Sequence, residues 1–487
     1  MAPVLRKALV TLLVAVPVVL AVRSADWPLV FDAALMHYAA WSILDGARPY
    51  VDLFDMNFPG TYLFHMGVLA TLGEGDGAWR VVDLGVLAAT CAALAAFAWP
   101  VGRLPALAAA SWYATYHLGD GPEAAGQRDY VFALPLVLSS LFAARFVEAD
   151  GRRVAEAAGF GLFAGLAATI KPTAVLWVLG AAPFLLRAGL RTPAVLPRAV
   201  AAAIGAALLP LAVAVGWVVA QGSGEAFWGL VHEYLPLYGR IRHGLAPSRR
   251  MILAVVTCLL AAGLALRPQP HRARLGLAVV GSLVGLAAYG AQGKFWTYHL
   301  YPAVVFGLLA LAMALGRPQD PRWARLGALA VVTVGLSAMA VRLIPSKVAV
   351  NAWRVGQVET MEGAIRAHVP PGGTVQILDT TAGGAHALLR LHSRLPSPLL
   401  YDFHVLLDGD APFVVDLRAR VLAAWEAHPP DAFLVAEAAY PEALSGYDRV
   451  QRFPALAAFL DAGYDTAVVE GTFVLLTRAR PSHGEAP

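Results

Sequence analysis

Long apolar runs, broken by charged residues or by Pro and Gly, recur along the first two-thirds of the chain. They fall near 8–22, 78–101, 104–117, 130–147, 157–170, 173–186, 199–220, 251–266, 276–291, 300–316 and 326–343. A helix that crosses a bilayer needs about 20 apolar residues, so the pattern predicts about 11 transmembrane helices, some of them short. The stretch 59–73 reads as a membrane-surface helix instead of a span. After about residue 345 the period changes. "GGTVQILDTTAGG", "DAFLVAEAAY" and "DTAVVEGTFVLLTRAR" are strand-like, with turn signals at their ends. "FVVDLRARVLAAWEAHP" and "FPALAAFLDAGY" carry apolar residues at three- and four-residue spacing. Strands alternating with helices predict a small α/β domain. The expected organisation is a transmembrane domain over 1–344, a soluble α/β domain over 345–480 and a disordered tail over 481–487.

Composition supports this reading. The chain is 58% hydrophobic and 14% charged, with a mean hydropathy of +0.61. A soluble domain is about a quarter charged. The fold class is therefore an α-helical polytopic membrane protein. A net charge of +4 does not suggest nucleic acid as a partner. Cys91 and Cys258 both sit inside apolar runs, so no disulfide framework is expected. The N-terminus has Arg6 and Lys7 before its apolar stretch, like a signal peptide. Arg23 interrupts the small residues that a cleavage site needs, which favours a retained anchor helix.

Alternate loops are short and basic: Arg6/Lys7, Arg103, Arg152/Arg153, Arg187/Arg191/Arg198, Arg267/Arg272/Arg274 and Arg317/Arg322/Arg325. The positive-inside bias places these in the cytoplasm. An odd number of spans then puts the α/β domain on the side opposite the N-terminus, outside the cytoplasm. The other loops, 23–60, 118–130, 221–250 and 292–299, mix basic residues with acids, histidines and tyrosines. They all fall on that same outer face. Buried unpaired charge near lipid costs several kcal/mol, so these groups need partners, water or a ligand.

The densest polar stretch is 31–60, with Asp32, Asp45, Asp52 and Asp55. "DAALMHYAAWSIL" has helical character, with His37, Tyr38 and Trp41 following Asp32. Asp32 reads either as the N-cap of an interfacial helix or as a general base on a membrane-surface helix. "ARPYVDLFDMNFPG" reads as an extended loop punctuated by Pro49, Pro59 and Gly60.

This segment, with its "GxxPYxDxFDxxxPG" pattern, resembles the first outer loop of GT-C glycosyltransferases, which include the family 39 protein mannosyltransferases and the aminoarabinose transferase of lipid A. Three further stretches resemble them in order. "GDGPEAAGQRDYVF" (119–132) is similar to their Gln-Arg-Glu/Asp loop. "IKPTAVLWVLGAAPFLL" (170–186) is similar to their Lys-Pro-Thr turn, and "GKFWTYHLYPAVVFGLLAL" (293–311) to their Tyr-His-x-x-Pro segment. The terminal α/β domain also resembles their outer domain. The pattern departs at Asn57-Phe58-Pro59, where the aminoarabinose transferase type carries Lys-Pro-Pro, so a lysine contact to the donor phosphate is not carried over.

The resemblance implies an inverting glycosyltransferase that moves a sugar from a polyprenyl-phosphate donor to an acceptor hydroxyl of an envelope lipid, polysaccharide or protein. Asp32 is then the catalytic acid residue of the first loop, with Asp52 and Asp55 supporting it. Arg128, Lys171, Arg240, Arg242, Lys294 and His299 are candidates for holding the donor phosphate. His37, Tyr50, Gln127, Asp129, His232, Glu233 and Tyr298 are candidates for substrate contacts. Asp45 has no assigned task. Each also has a plainer reading: Asp129 as partner of Arg128, Lys171 as a snorkelling helix end, and His299 and Tyr298 as an interfacial belt. Asp32, Asp52, His232 and Glu233 could take a divalent cation, but no ligand spacing marks a metal site and no cofactor is expected. The competing classes are a flippase of lipid-linked sugars and a scaffold of a polysaccharide assembly complex. A flippase expects charge in mid-span and repeated halves, whereas here the polar groups lie in loops.

Overall fold

The computed structural model describes residues 2–479 except 243, 245–247, 268–270, 318, 381, 407, 439 and 441–443. The tail expected to be disordered, 481–487, lies outside the described residues. Every apolar run forms a helix. In chain order these are α1 (Ala2–Arg23), α4 (Asp76–Ala98), α5 (Arg103–Gly119), α6 (Arg128–Glu148), α7 (Val154–Ile170), α8 (Ala174–Gly189), α9 (Leu196–Ala220), α12 (Arg249–Ala265), α13 (Arg272–Gln292), α14 (Tyr301–Leu315) and α15 (Arg322–His368). Between them lie the polar-face helices α2 (Phe31–Leu44), α3 (Pro59–Leu72), α10 (Gly224–Gly229) and α11 (Leu235–Arg240). Among the described residues, 7 helices are long and apolar enough to cross a membrane. The runs at α5, α7, α8 and α12 give helices of 16 or 17 residues.

The helices differ by where their apolar surface goes. From Tyr301 to Ala314 every residue of α14 is buried, as expected of a helix that is apolar all round and surrounded by others. It packs on α5, α6, α12 and α13 and forms the centre of the bundle. By contrast α9 buries little more than Ala199, Ala214 and Val218, and exposes Ile204, Leu208 and Val213. That outward face suits lipid. The close α7/α9 pair rests on small residues four apart. A Cβ on Gly161 would lie 1.9 Å from the Ala203 carbonyl oxygen, and one on Gly165 2.2 Å from that of Ala207.

The run expected to end near 343 does not end there. α15 continues unbroken for 47 residues, through Pro345 and the expected domain boundary. Proline usually interrupts a helix. Here the 351–365 stretch is held by burial of Asn351, Gln357, Val358, Met361 and Ile365. At 1.5 Å per residue the helix is about 70 Å long, so it serves the bundle at one end and the outer domain at the other.

The outer domain is β1 (Val375–Leu378), α16 (Gly384–Leu391), α17 (Phe403–Leu406), α18 (Pro412–Ala427), β2 (Ala432–Ala436), α19 (Pro454–Gly463), β3 (Tyr464–Glu470) and β4 (Phe473–Arg478). Its sheet has the order β1-β2-β4-β3. β1 and β2 pair in parallel, in keeping with the helical crossover between them. β3 and β4 form a hairpin in which Glu470 pairs with Phe473. The domain is seated on the 31–60 segment. Tyr38 Oη donates to the Ser393 carbonyl at 3.1 Å and accepts from Leu395 N at 3.0 Å. Phe54 N donates to the Pro398 carbonyl at 2.8 Å. Arg394 forks onto the Asp45 carboxylate and donates to its carbonyl. Asp45, without a task in the sequence, is therefore a docking contact.

Candidate active site

A cavity of about 420 Å³ opens where the outer domain meets the polar ends of the helices. Asp32 and Phe31 of α2, Asn57 of the first loop and Gln127 and Arg128 at the start of α6 line one side. Asp120, Glu123 and Arg250 line another, with Trp296, Thr297 and Tyr298 between. Thr380, Tyr401, Phe403 and Tyr440 of the outer domain line the remaining side.

The 118–130 loop reaches the cavity because its glycines permit it. Gly121 and Gly126 have φ of +86° and +67°, a region that side chains disfavour. A Cβ on Gly126 would fall 1.7 Å from Cζ2 of Trp79. Gly126 N donates to Asp83 Oδ1 at 2.8 Å, and Tyr130 Oη donates to the Asp83 carbonyl at 2.7 Å. Asp83 also pairs with Arg80 and lies 3.3 Å from His117 Nε2. This buried hub belongs to the first turns of α4 and α6 and the last turn of α5, so the charges sit at one common end of the bundle.

Asp32 is half-buried on the cavity wall and shares a hydrogen bond with Tyr298. Burial pushes its carboxyl above the usual range, and Arg128 opposes that shift. Arg128 hydrogen-bonds Asn57 Oδ1 and lies 4.0 Å from Asp129. Asn57 is in turn held by Asp55, which accepts from Asn57 Nδ2 at 2.8 Å, Tyr62 Oη at 2.5 Å and Met56 N at 2.7 Å. Asp55 is fully buried and burial raises its pKa. It stands behind the cavity wall and orients Asn57. Tyr50 does the same from the other side, donating to the Asn57 carbonyl at 2.8 Å.

The other expected residues separate. Asp129 is buried, with Lys171 Nζ at 2.6 Å and His299 Nε2 at 4.0 Å. Burial lowers the Lys171 amine to about 8, and Asp129 counters that. These three lie below Arg128, and Asp129 and His299 line a separate small crevice between helices. Lys294 does not line the cavity; its amine donates to the Tyr238 and Ile241 carbonyls at 2.7 and 2.5 Å. Asp52 is paired with Arg48 at 2.7 Å on the surface, and that hydrogen bond lowers its pKa. Arg240, Arg242, His232 and Glu233 are exposed and away from the cavity, with His232 against the Trp228 ring. His37 is buried against His65, Nδ1 to Nδ1 at 2.7 Å, and edge-on to Trp79. Among the described residues no group of three or more His, Cys, Asp or Glu is arranged to hold a metal ion.

Several cavity residues were not read from the sequence. Asp120 binds Arg250 at 2.6 Å, and Glu123 pairs with Lys347 and lies 3.8 Å from Arg250. The available signal was Arg249-Arg250 directly before an apolar run, on the face expected to lie outside, where the positive-inside bias disfavours arginine. Asn57 was read as the place where a lysine is missing; it is instead the residue that meets Arg128. Phe31 has a left-handed backbone, φ +54°, and the Arg354 guanidinium lies 3.4 Å from its ring centroid. Such strain in a non-glycine residue costs about 1–3 kcal/mol, and a cation over a desolvated ring returns about 0.5–2 kcal/mol.

No protein-family model matches the chain, and no curated protein matches it in sequence. Solved structures match its fold. ArnT from Cupriavidus metallidurans bound to undecaprenyl phosphate superposes with a TM-score of 0.62 at 15% identity, over 98% of this chain and 99% of that one. The same protein in the apo state gives 0.59 at 13% identity, over 97% and 98%. The Archaeoglobus fulgidus oligosaccharyltransferase in its apo form gives 0.47 at 10% identity, over 92% and 71%.

Proposed function

We propose, from this ArnT-like GT-C membrane fold and the cavity it builds, that the chain is an inverting glycosyltransferase. Its donor is a polyprenyl-phosphate sugar, and its acceptor is a hydroxyl of an envelope lipid, polysaccharide or protein at the periplasmic face. The transmembrane part, 1–344, and the outer part, 345–480, meet around that site. The observation that carries the reading is the juxtaposition of Asp32 and Arg128 on one wall of the cavity, in a fold whose crystallised neighbour is described as bound to undecaprenyl phosphate.

In the proposed step, the acceptor oxygen attacks the anomeric carbon and passes its proton to the Asp32 carboxylate. The bond from that carbon to the phosphate oxygen breaks on the opposite face, and polyprenyl phosphate leaves with the electron pair. The guanidinium of Arg128, held by Asn57, meets the charge that develops there. Lys171 and Asp129 support Arg128 from below. The aromatic roof from the outer domain excludes water, which competes with the acceptor.

The test is binding of undecaprenyl phosphate to the full chain in lipid nanodiscs. Arg128→Gln is expected to weaken it at least about tenfold, the value of one charge-assisted contact. Arg240→Gln and Arg242→Gln are expected to leave it unchanged. Equal binding by Arg128→Gln, or no saturable binding by the wild type, contradicts the reading.

A further inference from the structure

The carboxylate assigned as base follows directly on a strained residue. Phe31 adopts φ +54°, while Val30 before it is fully extended at φ −143° and ψ 167°. The chain therefore turns sharply into α2, and no side chain caps the helix start. The first turn carries Asp32, whose carboxylate is met by Tyr298 from the facing wall, while the backbone turn at Phe31 has no cap of its own. A cation over the Phe31 ring comes from 323 positions away: the Arg354 guanidinium, 3.4 Å from the ring centroid. Arg354 sits on the part of α15 that has left the bundle for the outer domain. Behind Asp32, a second small cavity gathers Phe31, Asp32, Arg354 and Asp379, the last from the turn after β1. The cost of a left-handed non-glycine residue and the value of a cation over a shielded ring are of the same order. One can hold the other.

We propose that Arg354 is a positioning residue: through the ring of Phe31 it holds the left-handed entry to α2 and so fixes Asp32 on the cavity wall. This rests on the reading of Asp32 as base. It also ties the geometry of the base to the seating of the outer domain, because α15 belongs to both. Arg354 need not touch substrate for this. Its removal frees the Phe31 turn, and Asp32 then samples orientations that do not face the acceptor.

The test uses the full chain in nanodiscs, with release of polyprenyl phosphate from a panel of polyprenyl-phosphate hexoses and pentoses in the presence of envelope extract. Arg354→Met is expected to lower kcat about tenfold, with donor KM within about twofold, because ground-state binding is left alone. Arg354→Lys keeps a cation over the ring and is expected to stay within about threefold of wild type. Phe31→Leu is expected to lower kcat in the same direction as Arg354→Met, and the double variant to lose less than the product of the two, since the ring–guanidinium contact is common to both although Arg354 also faces Asp379 and Asp32. Wild-type kcat in Arg354→Met, equal losses in Arg354→Lys and Arg354→Met, or multiplying losses in the double variant overturn the inference. If Arg354→Met does not fold, Phe31→Leu against Phe31→Leu/Arg354→Lys gives the same comparison: Lys must then cost nothing further. Asp32→Asn is measured alongside. Normal release by Asp32→Asn, or no release by the wild type from any donor, removes the underlying reading instead.

Discussion

Asp55 is a carboxylate that the sequence puts forward for chemistry and the structure puts behind the cavity wall. Three donors converge on it, at 2.5, 2.7 and 2.8 Å, and one of them is Asn57, whose other amide atom holds Arg128. Asp55→Asn keeps the shape but sets an amide NH₂ against two side-chain donors. A buried donor left unmatched costs about 1–3 kcal/mol. Asn57 then has no fixed orientation, and Arg128 loses a charge-assisted hydrogen bond worth about 1.5–3 kcal/mol. At 1.4 kcal/mol per decade, that predicts a loss of roughly 10- to 100-fold in affinity for the lipid phosphate. The assay is undecaprenyl phosphate binding in nanodiscs, with donor KM and kcat in turnover. Asn57→Ala is expected to reproduce the loss, and the double variant to add little. If Asp55→Asn instead abolishes kcat while binding stays normal and Asn57→Ala is silent, Asp55 acts on substrate and the positioning argument is refuted.

The buried pair of Lys171 and Asp129, 2.6 Å apart, predicts an asymmetric response. Lys171→Met takes the hydrogen-bonded cation from the buried Asp129 carboxylate, leaving Arg128 and His299 at 4.0 Å, and is expected to destabilise the detergent-solubilised protein by about 3 kcal/mol, whereas Lys171→Met/Asp129→Leu recovers much of that; equal melting of the single and double variants contradicts it. The contact between α2 and α3 should weaken in acid. His37 is lowered to about 4 and His65 also lies below the usual range, both by burial. The unfolded chain then binds more protons, so stability is full above about pH 6.5 and is lost as pH falls towards 4. Melting at pH 7.5 and 5 should differ in the wild type and differ less in His65→Phe.

Much of the fold was legible because the signal was strong and local. Each apolar run became a helix, and the strand-like stretches after 370 became strands. What escaped was set by distance in sequence. The last apolar run was expected to end near 343, yet α15 continues through Pro345 because residues from 351 onward are buried against partners that no local pattern reveals. In the site, Asp32, Arg128, Gln127 and Tyr298 could be gathered by placing polar loops on one face. Lys294 and Asp52 have the right chemistry and the right loops, but backbone carbonyls and Arg48 engage them. Asp83 and His117 were invisible because they sit within helices and act only on the loop that crosses them. The Phe31 strain leaves no trace in the sequence, since a bulky aromatic carries no signal for positive φ.

The central claim is that Asp32 takes the acceptor's proton. Its carboxyl is raised by burial, so turnover should fall as pH drops through that raised value, above the ordinary carboxylate range. The direct measurement is release of polyprenyl phosphate by Asp32→Asn in nanodiscs, with undecaprenyl phosphate binding measured on the same preparation. The account predicts binding within about twofold of wild type and turnover lower by roughly 10²- to 10⁴-fold, the range of a lost general base. Turnover near that of the wild type, with binding intact, would contradict it.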